Sequence, residues 1–241
     1  MQQEFSPHTW TQTLLLHLLP GVANFGFTVL TLSFLWNPSL PPVFVYGVLT
    51  NVLVLIPLQL GWLFYLAKKR GNLGWSLSGI VVYQQRTPLL KLLYLVPAVL
   101  LATFLIFKSF DPITEGLRGV APYEFAVGYE GDVSKCIIIG ILAMNALLTA
   151  FLVPITEELY FRGYLLPRMP RSLGDSAPVV HSLLFATYHF DTPWMIPVRT
   201  VGLLPLIYAT RYSNGLRTGV ISHCLVNLFT VIETASGRLR E

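Results

Sequence analysis

The sequence predicts an all-α fold, a polytopic transmembrane helical bundle of about seven to eight helices. Three observations carry that reading. The chain of 241 residues is 54% hydrophobic and only 12% charged, about half the roughly 25% charge of an ordinary soluble domain. Its mean hydropathy is +0.61. Apolar runs near the roughly 20 residues that span a bilayer recur along it, with no β-type alternation, internal repeat or low-complexity tract. The chain reads as one integral membrane domain, 1–241, with helices over 1–130 and a second group over 135–235.

The elements follow in order. The opening "MQQEFSPHTW" lacks the basic n-region and cleavage site of a signal peptide, so the first apolar segment is expected to stay in the protein. Long runs lie near 12–36, 42–67, 89–108 and 135–161, and shorter or proline-interrupted ones near 177–190, 194–212 and 217–235. Pro20, Pro57, Pro97 and Pro154 fall inside predicted helices. In a membrane such breaks need neighbouring helices or a wet cavity to satisfy the freed backbone groups. Cys136 and Cys224 lie in apolar runs without metal or disulfide spacing and read as small buried hydrophobes.

The net charge of +4 does not point to nucleic acid, because the basic residues sit in short loops between apolar runs. The 68–91 loop carries Lys68, Lys69, Arg70, Arg86 and Lys91; the 109–134 loop carries Asp111, Glu115, Glu124, Glu130 and Asp132 against Arg118 alone. The positive-inside rule places the first loop and the N-terminus in the cytoplasm and the second loop outside. Arg168, Arg171, Arg211 and Arg217 then return to the cytoplasm. With seven spans Arg238 and Arg240 end outside, a conflict that an eighth, re-entrant or interfacial segment would remove. The expected location is a prokaryotic plasma membrane.

The segment "LVPITEELYFRGYLL", residues 152–166, places two adjacent carboxylates and an arginine in an apolar run. Ionisable groups at membrane depth are functional candidates, because burying them is costly. On a helix Glu158 and Arg162 are four apart and pair on one face. Glu157 points about 100° away and has no local partner, which suits a general base. His189 is the next polar residue on an apolar run. The turn near Leu173 has Glu157 sixteen residues before it and His189 sixteen after it. In an antiparallel hairpin both fall roughly 24 Å from the turn at 1.5 Å per residue, so they share a height. His223 and Asn227, again four apart, aim together into the bundle, where an imidazole and an amide could donate to an oxyanion.

Each element also has a plainer reading. Glu158–Arg162 serves equally as a structural ion pair, and His189, or His223 with Asn227, as interhelical hydrogen bonders. His181 reads as structural; His8 and His17 have no evident partner and receive no role. A zinc site of Glu157, His189 and His223 with a water is chemically possible. It is second choice to no cofactor, since the His-Glu-x-x-His spacing is absent and no second carboxylate faces either histidine in sequence.

Three motifs, Glu157-Glu158-Leu-Tyr-Phe-Arg162, Phe185-Ala-Thr-Tyr-His189 and His223-Cys-Leu-Val-Asn227, resemble those of the CAAX-protease and bacteriocin-processing (Abi) family of membrane proteins. The resemblance covers roughly residues 135–235. It implies an intramembrane glutamate protease similar to the type II CAAX prenyl endopeptidases. Carried onto this chain, Glu157 and His189 would activate water, His223 and Asn227 would form the oxyanion hole, and Glu158 with Arg162 would orient Glu157. The implied partners are membrane lipid and a peptide or lipidated-protein substrate. Two alternatives stand beside it. One is a non-catalytic family member acting in bacteriocin immunity or as a scaffold. The other is a transporter with a Glu157–histidine proton relay, for which no inverted repeat is evident.

Overall fold

The computed structural model describes residues 6–35, 43–83, 85–121 and 134–238. Glu124, Glu130, Asp132 and Arg240, which entered the orientation argument, lie outside them, as do the first five residues. Four helices are long and apolar enough to cross a membrane: α1 Trp10–Phe34, α2 Phe44–Lys69, α3 Leu89–Arg118 and α4 Lys135–Arg168. Four shorter ones follow: α5 Ala177–Thr187, α6 Ile196–Gly202, α7 Leu204–Ser213 and α8 Leu216–Arg238. The bundle is all-α among the described residues. α6 and α7 meet at Leu203, with Pro205 in the first turn of α7, so the run at 194–212 is one broken rod.

Thr9 starts α1 with a capping box: its hydroxyl accepts from the Gln12 amide while the Gln12 side chain accepts from the Thr9 amide. α3 extends ten residues beyond the expected end at 108, past Asp111 and Pro112. Exposed pairs spaced by three residues, Lys108–Asp111 at 2.9 Å and Glu115–Arg118 at 4.0 Å, line that extension and favour helix where the apolar signal has stopped. Cys224 is buried as expected; Cys136, at the start of α4, is exposed.

Side-chain polarity is inverted relative to a soluble protein. Leu15, Phe34, Leu101, Phe104 and Leu105 face outward, while Thr13, His17, Gln59, His181 and Ser182 are fully or almost fully buried. Hydrocarbon solvates the former; the latter need partners inside. Several are hydrogen-bonded between helices. Tyr160 Oη donates to the Leu16 carbonyl at 2.8 Å, Ser182 Oγ to the Thr200 carbonyl at 2.7 Å, and Thr103 Oγ1 to the Gly202 carbonyl at 3.1 Å.

Two wide, π-type stretches run directly into prolines: 51–55 before Pro57 on α2, and 148–152 before Pro154 on α4. A proline ring removes one backbone donor and crowds the carbonyl four residues back, and a widened turn relieves both. A further π-type stretch covers Glu158–Leu165. The 70–88 connection dips back against the helices, its Val82 amide donating to the Gly163 carbonyl and Tyr83 accepting from Leu216, both at 2.8 Å. Gly163 is required there, since a Cβ would lie 2.6 Å from Val81 Cγ1. The aromatic centre of the core, Phe161, Phe185 and Tyr188, packs Phe161 edge-on to Phe185 at 4.8 Å.

Ahead of α1, His8 docks on the end of α4. Its amide donates to the Arg168 carbonyl at 2.7 Å, and Nε2 lies 3.4 Å from Tyr164 Oη; His8 therefore has a partner that its position in sequence did not reveal. Burial and the Arg168 cation lower its pKa from 6.5 to about 4. The undocked segment thus binds the proton more readily, and the docked state is favoured above pH 6.5 and weakened as pH falls toward 4. Hydrogen exchange at the His8 amide, corrected for intrinsic rate, should lose protection between pH 7 and 4.5 in the wild type. His8→Gln should remove that dependence; equal protection at both pH values in the wild type would contradict it.

Candidate active site

The residues singled out in the sequence gather where α4, α5 and α8 meet. Glu157, at the last turn before the π-type stretch Glu158–Leu165, is 2% exposed, and Glu158 and Arg162 are fully buried. Arg162 Nη1 lies 3.3 Å from Glu158 Oε1, and its guanidinium stacks 4.1 Å from the Phe185 ring centroid. The pairing expected for an α-helix therefore persists in the wider turn.

His223 of α8 joins the two glutamates. Its Nδ1 lies 2.9 Å from Glu158 Oε1 and its Nε2 lies 3.7 Å from Glu157 Oε2. Consecutive side chains leave a helix about 100° apart, which lets neighbouring carboxylates reach opposite edges of one imidazole. An ionised carboxylate only accepts, so Nδ1 carries a proton and Nε2 is the nitrogen turned toward Glu157. This corrects the expectation that no second carboxylate faces a histidine: Glu158 does, from a helix 65 residues away in sequence. The contact also places Glu158 and Arg162 on His223, rather than against Glu157 alone.

His189 follows directly after α5. Its Nδ1 donates to the Phe185 carbonyl at 2.9 Å, which leaves Nε2 facing Glu157 Oε1 at 4.0 Å. The shared height expected from the hairpin is thus met by the coordinates, with His189 in the bend beyond the helix end. Asn227 stands apart. Its Nδ2 donates to the Thr149 carbonyl of α4 at 2.9 Å, and none of its described contacts reaches Glu157, His189 or His223.

Glu157 is not partnerless, as the sequence suggested. Tyr188 Oη donates to its Oε1 at 2.5 Å. Gln59 of α2, fully buried, faces the same phenol. Arg199 of α6, which donates to Thr192 Oγ1 at 2.6 Å, lies near enough for its charge to act on Glu157 and Tyr188. Each carried a readable signal, a polar or charged side chain at membrane depth, and Tyr188 adjoins His189. Gly219 completes the packing: a Cβ there would lie 2.6 Å from both Glu158 Oε2 and Thr210 Oγ1, so only glycine lets α8 approach the carboxylate.

Glu157 and two imidazole Nε2 atoms converge, each ring held through Nδ1, which is the chemistry of a metal donor set. Among the described residues, however, no group of three His, Cys, Asp or Glu side chains is arranged to hold a metal ion.

Tyr188→Phe removes the donor and leaves a buried acceptor short of a partner, a loss of about 1.5–3 kcal/mol for a hydrogen bond to a charged group. Reversible unfolding in bicelles should register that loss, and a change below about 0.5 kcal/mol, the range of neutral surface substitutions, would show that the contact contributes nothing.

Residues 139–229 match the family model described as type II CAAX prenyl endopeptidase Rce1-like. No curated protein and no solved structure matches the chain. The matched span contains Glu157, Glu158, Arg162, Tyr188, His189, His223 and Asn227, while α1 to α3 lie outside it. The length and hydropathy of its helices read as those of an integral membrane protein, and the match of residues 139–229 to an Rce1-like family model is consistent with the CAAX-protease and bacteriocin-processing family that the three motifs resemble.

Proposed function

We propose that the chain is a membrane-embedded endopeptidase that hydrolyses a peptide bond with water activated by Glu157 and His189. The observation that carries this reading is the separation of two adjacent glutamates into different tasks. Glu158 is spent on Arg162 and His223, whereas Glu157 turns toward two imidazole Nε2 atoms at 3.7 and 4.0 Å. Heavy atoms 4.0 Å apart, such as Glu157 Oε1 and His189 Nε2, can both hydrogen-bond one water at about 2.8 Å. A water so held has one proton directed at a carboxylate and a lone pair free for a carbonyl carbon.

In the proposed reaction Glu157 accepts the proton as the water oxygen adds to the scissile carbonyl. The carbonyl π electrons move to oxygen, and the oxyanion is stabilised by donors fixed before substrate arrives. His223, held at Nδ1 by Glu158, turns Nε2 toward the oxyanion. Asn227 contributes the amide proton that is not bonded to Thr149. Collapse of the tetrahedral adduct returns the proton from Glu157 to the leaving amine.

For substrate class, the description of the matched family makes a farnesylated peptide ending in a CAAX sequence the first compound to test. The orientation proposed is that of the sequence, with the N-terminus and the basic 68–91 loop on the cytoplasmic side.

Purified protein in lipid should cleave a quenched-fluorescent farnesylated CAAX peptide, and Glu157→Gln should lower turnover by about 10²-fold or more, as loss of a general base does, without unfolding the protein. Turnover retained in Glu157→Gln would refute the assignment. Absence of cleavage by the wild type, with biological activity unaffected by Glu157→Gln and His189→Ala, would favour the immunity or scaffold reading instead.

A further inference from the structure

Two histidines that the proposed reaction does not use, His17 on α1 and His181 on α5, are hydrogen-bonded to each other, so His17 has a partner that its position in sequence did not reveal. Both are fully buried. His17 Nδ1 lies 2.7 Å from the Thr13 carbonyl oxygen, which only accepts, so Nδ1 bears the proton. With a neutral ring, His17 Nε2 is then an acceptor, and His181 Nδ1, 2.9 Å away, must donate to it. The direction is fixed from the backbone outward. What remains on a neutral His181 is the Nε2 lone pair, which meets no hydrogen-bond partner among the described residues.

Beside it stands the complementary deficit. The buried Arg162 guanidinium offers five N–H groups, and none of its three nitrogens forms a hydrogen bond of good geometry among the described residues. Its charge acts on both His17 and His181. Phe161, adjacent to Arg162 in sequence, packs against both rings, at 5.7 Å from His17 and 6.2 Å from His181, so the three elements share one wall. An unsatisfied donor and an unsatisfied acceptor, both buried, each cost about 1–3 kcal/mol if left so.

We infer that His17 and His181 form a one-way hydrogen-bond chain from the α1 backbone that reaches Arg162 through one water, and thereby set Arg162 against Glu158. Since Glu158 holds His223 at Nδ1, the chain makes α1 a positioning element for the candidate active site. His17 and His181 are positioning residues; neither touches the groups proposed to meet substrate. The effect on turnover rests on the endopeptidase reading above, whereas the effect on His223 does not.

Two substitutions separate orientation from packing. His181→Asn keeps an amide near the place of Nδ1, hence the contact with His17, and loses the acceptor facing Arg162. His181→Gln puts an amide oxygen near the place of Nε2 and loses the contact with His17. Side-chain ¹⁵N spectra of His223 in ¹⁵N-histidine-labelled protein in bicelles, together with cleavage of the farnesylated peptide, read the outcome. His181→Asn should shift the His223 resonances and lower kcat by about 10- to 100-fold, the penalty of misplacement, with KM little changed. His181→Gln, which keeps the acceptor but frees it from α1, should show a smaller change in both, and a fully wild-type His181→Gln would remove α1 from the chain. If the wild type does not cleave this peptide but the His223 resonances still respond more to Asn than to Gln, the prenyl-peptide assignment fails and the chain to Arg162 stands. If the resonances are unmoved in both variants, or both variants lose thermal stability and activity alike, His17 and His181 are packing and the inference is overturned.

Discussion

The constraint on which the rest depends is the burial of Arg162 beside Glu158. A guanidinium and a carboxylate with no exposed surface each lose several kcal/mol of hydration, and a low-dielectric neighbourhood repays that only when geometry and further hydrogen bonds are good. Here Phe185 stacks on the cation and His223 donates to the anion. The consequence runs outward from that pair. A fixed Glu158 fixes the proton on His223 Nδ1, which in turn aims Nε2 at Glu157. Glu157, held by Tyr188, is left to face His189. Two adjacent residues of identical chemistry thus acquire different tasks through what lies opposite each of them.

The backbone serves the same end. In hydrocarbon a helix has no water to relieve a broken turn, yet α4 carries Pro154 just before the glutamates and wide turns on either side of them. The side chains gathered around the glutamates come from several helices: Tyr188 and His189 from the end of α5, His223 from α8, Arg199 from α6 and Gln59 from α2. Gly219 and Gly163 let α8 and the 70–88 connection come within contact of α4. The wide turns over Glu158–Leu165 lie where protein surrounds them, seven of those eight residues being buried.

The long helices were legible because hydropathy and length decide a membrane span almost alone, so four runs became α1 to α4 with ends shifted by a few residues, apart from the extension of α3. The three motifs were legible as charged and polar groups at depth. Less so were contacts that depend on how helices rotate about one another. Nothing local says that Glu158 meets His223 across 65 residues, that His17 meets His181 across 164, or that Tyr188 caps Glu157. The wide turns over Glu158–Leu165 were invisible for a related reason: the α and π hydrogen-bond registers differ by a single residue, and tertiary packing chooses between them. Asn227 shows the converse. Four-residue spacing placed it on the face of His223, but the distance between α8 and α4 gave its amide to Thr149.

The claim that Glu158 is the structural carboxylate is tested most directly by a double-mutant cycle on the unfolding free energy in bicelles, using Glu158→Gln, Arg162→Met and the pair together. Removing one partner strands the other, so each single substitution should cost about 3–5 kcal/mol. The double substitution should cost clearly less than their sum, because neither charge remains to be stranded. Small, additive effects would contradict the account, since the buried ion pair would then not be the interaction that holds His223 and sets Glu157 free.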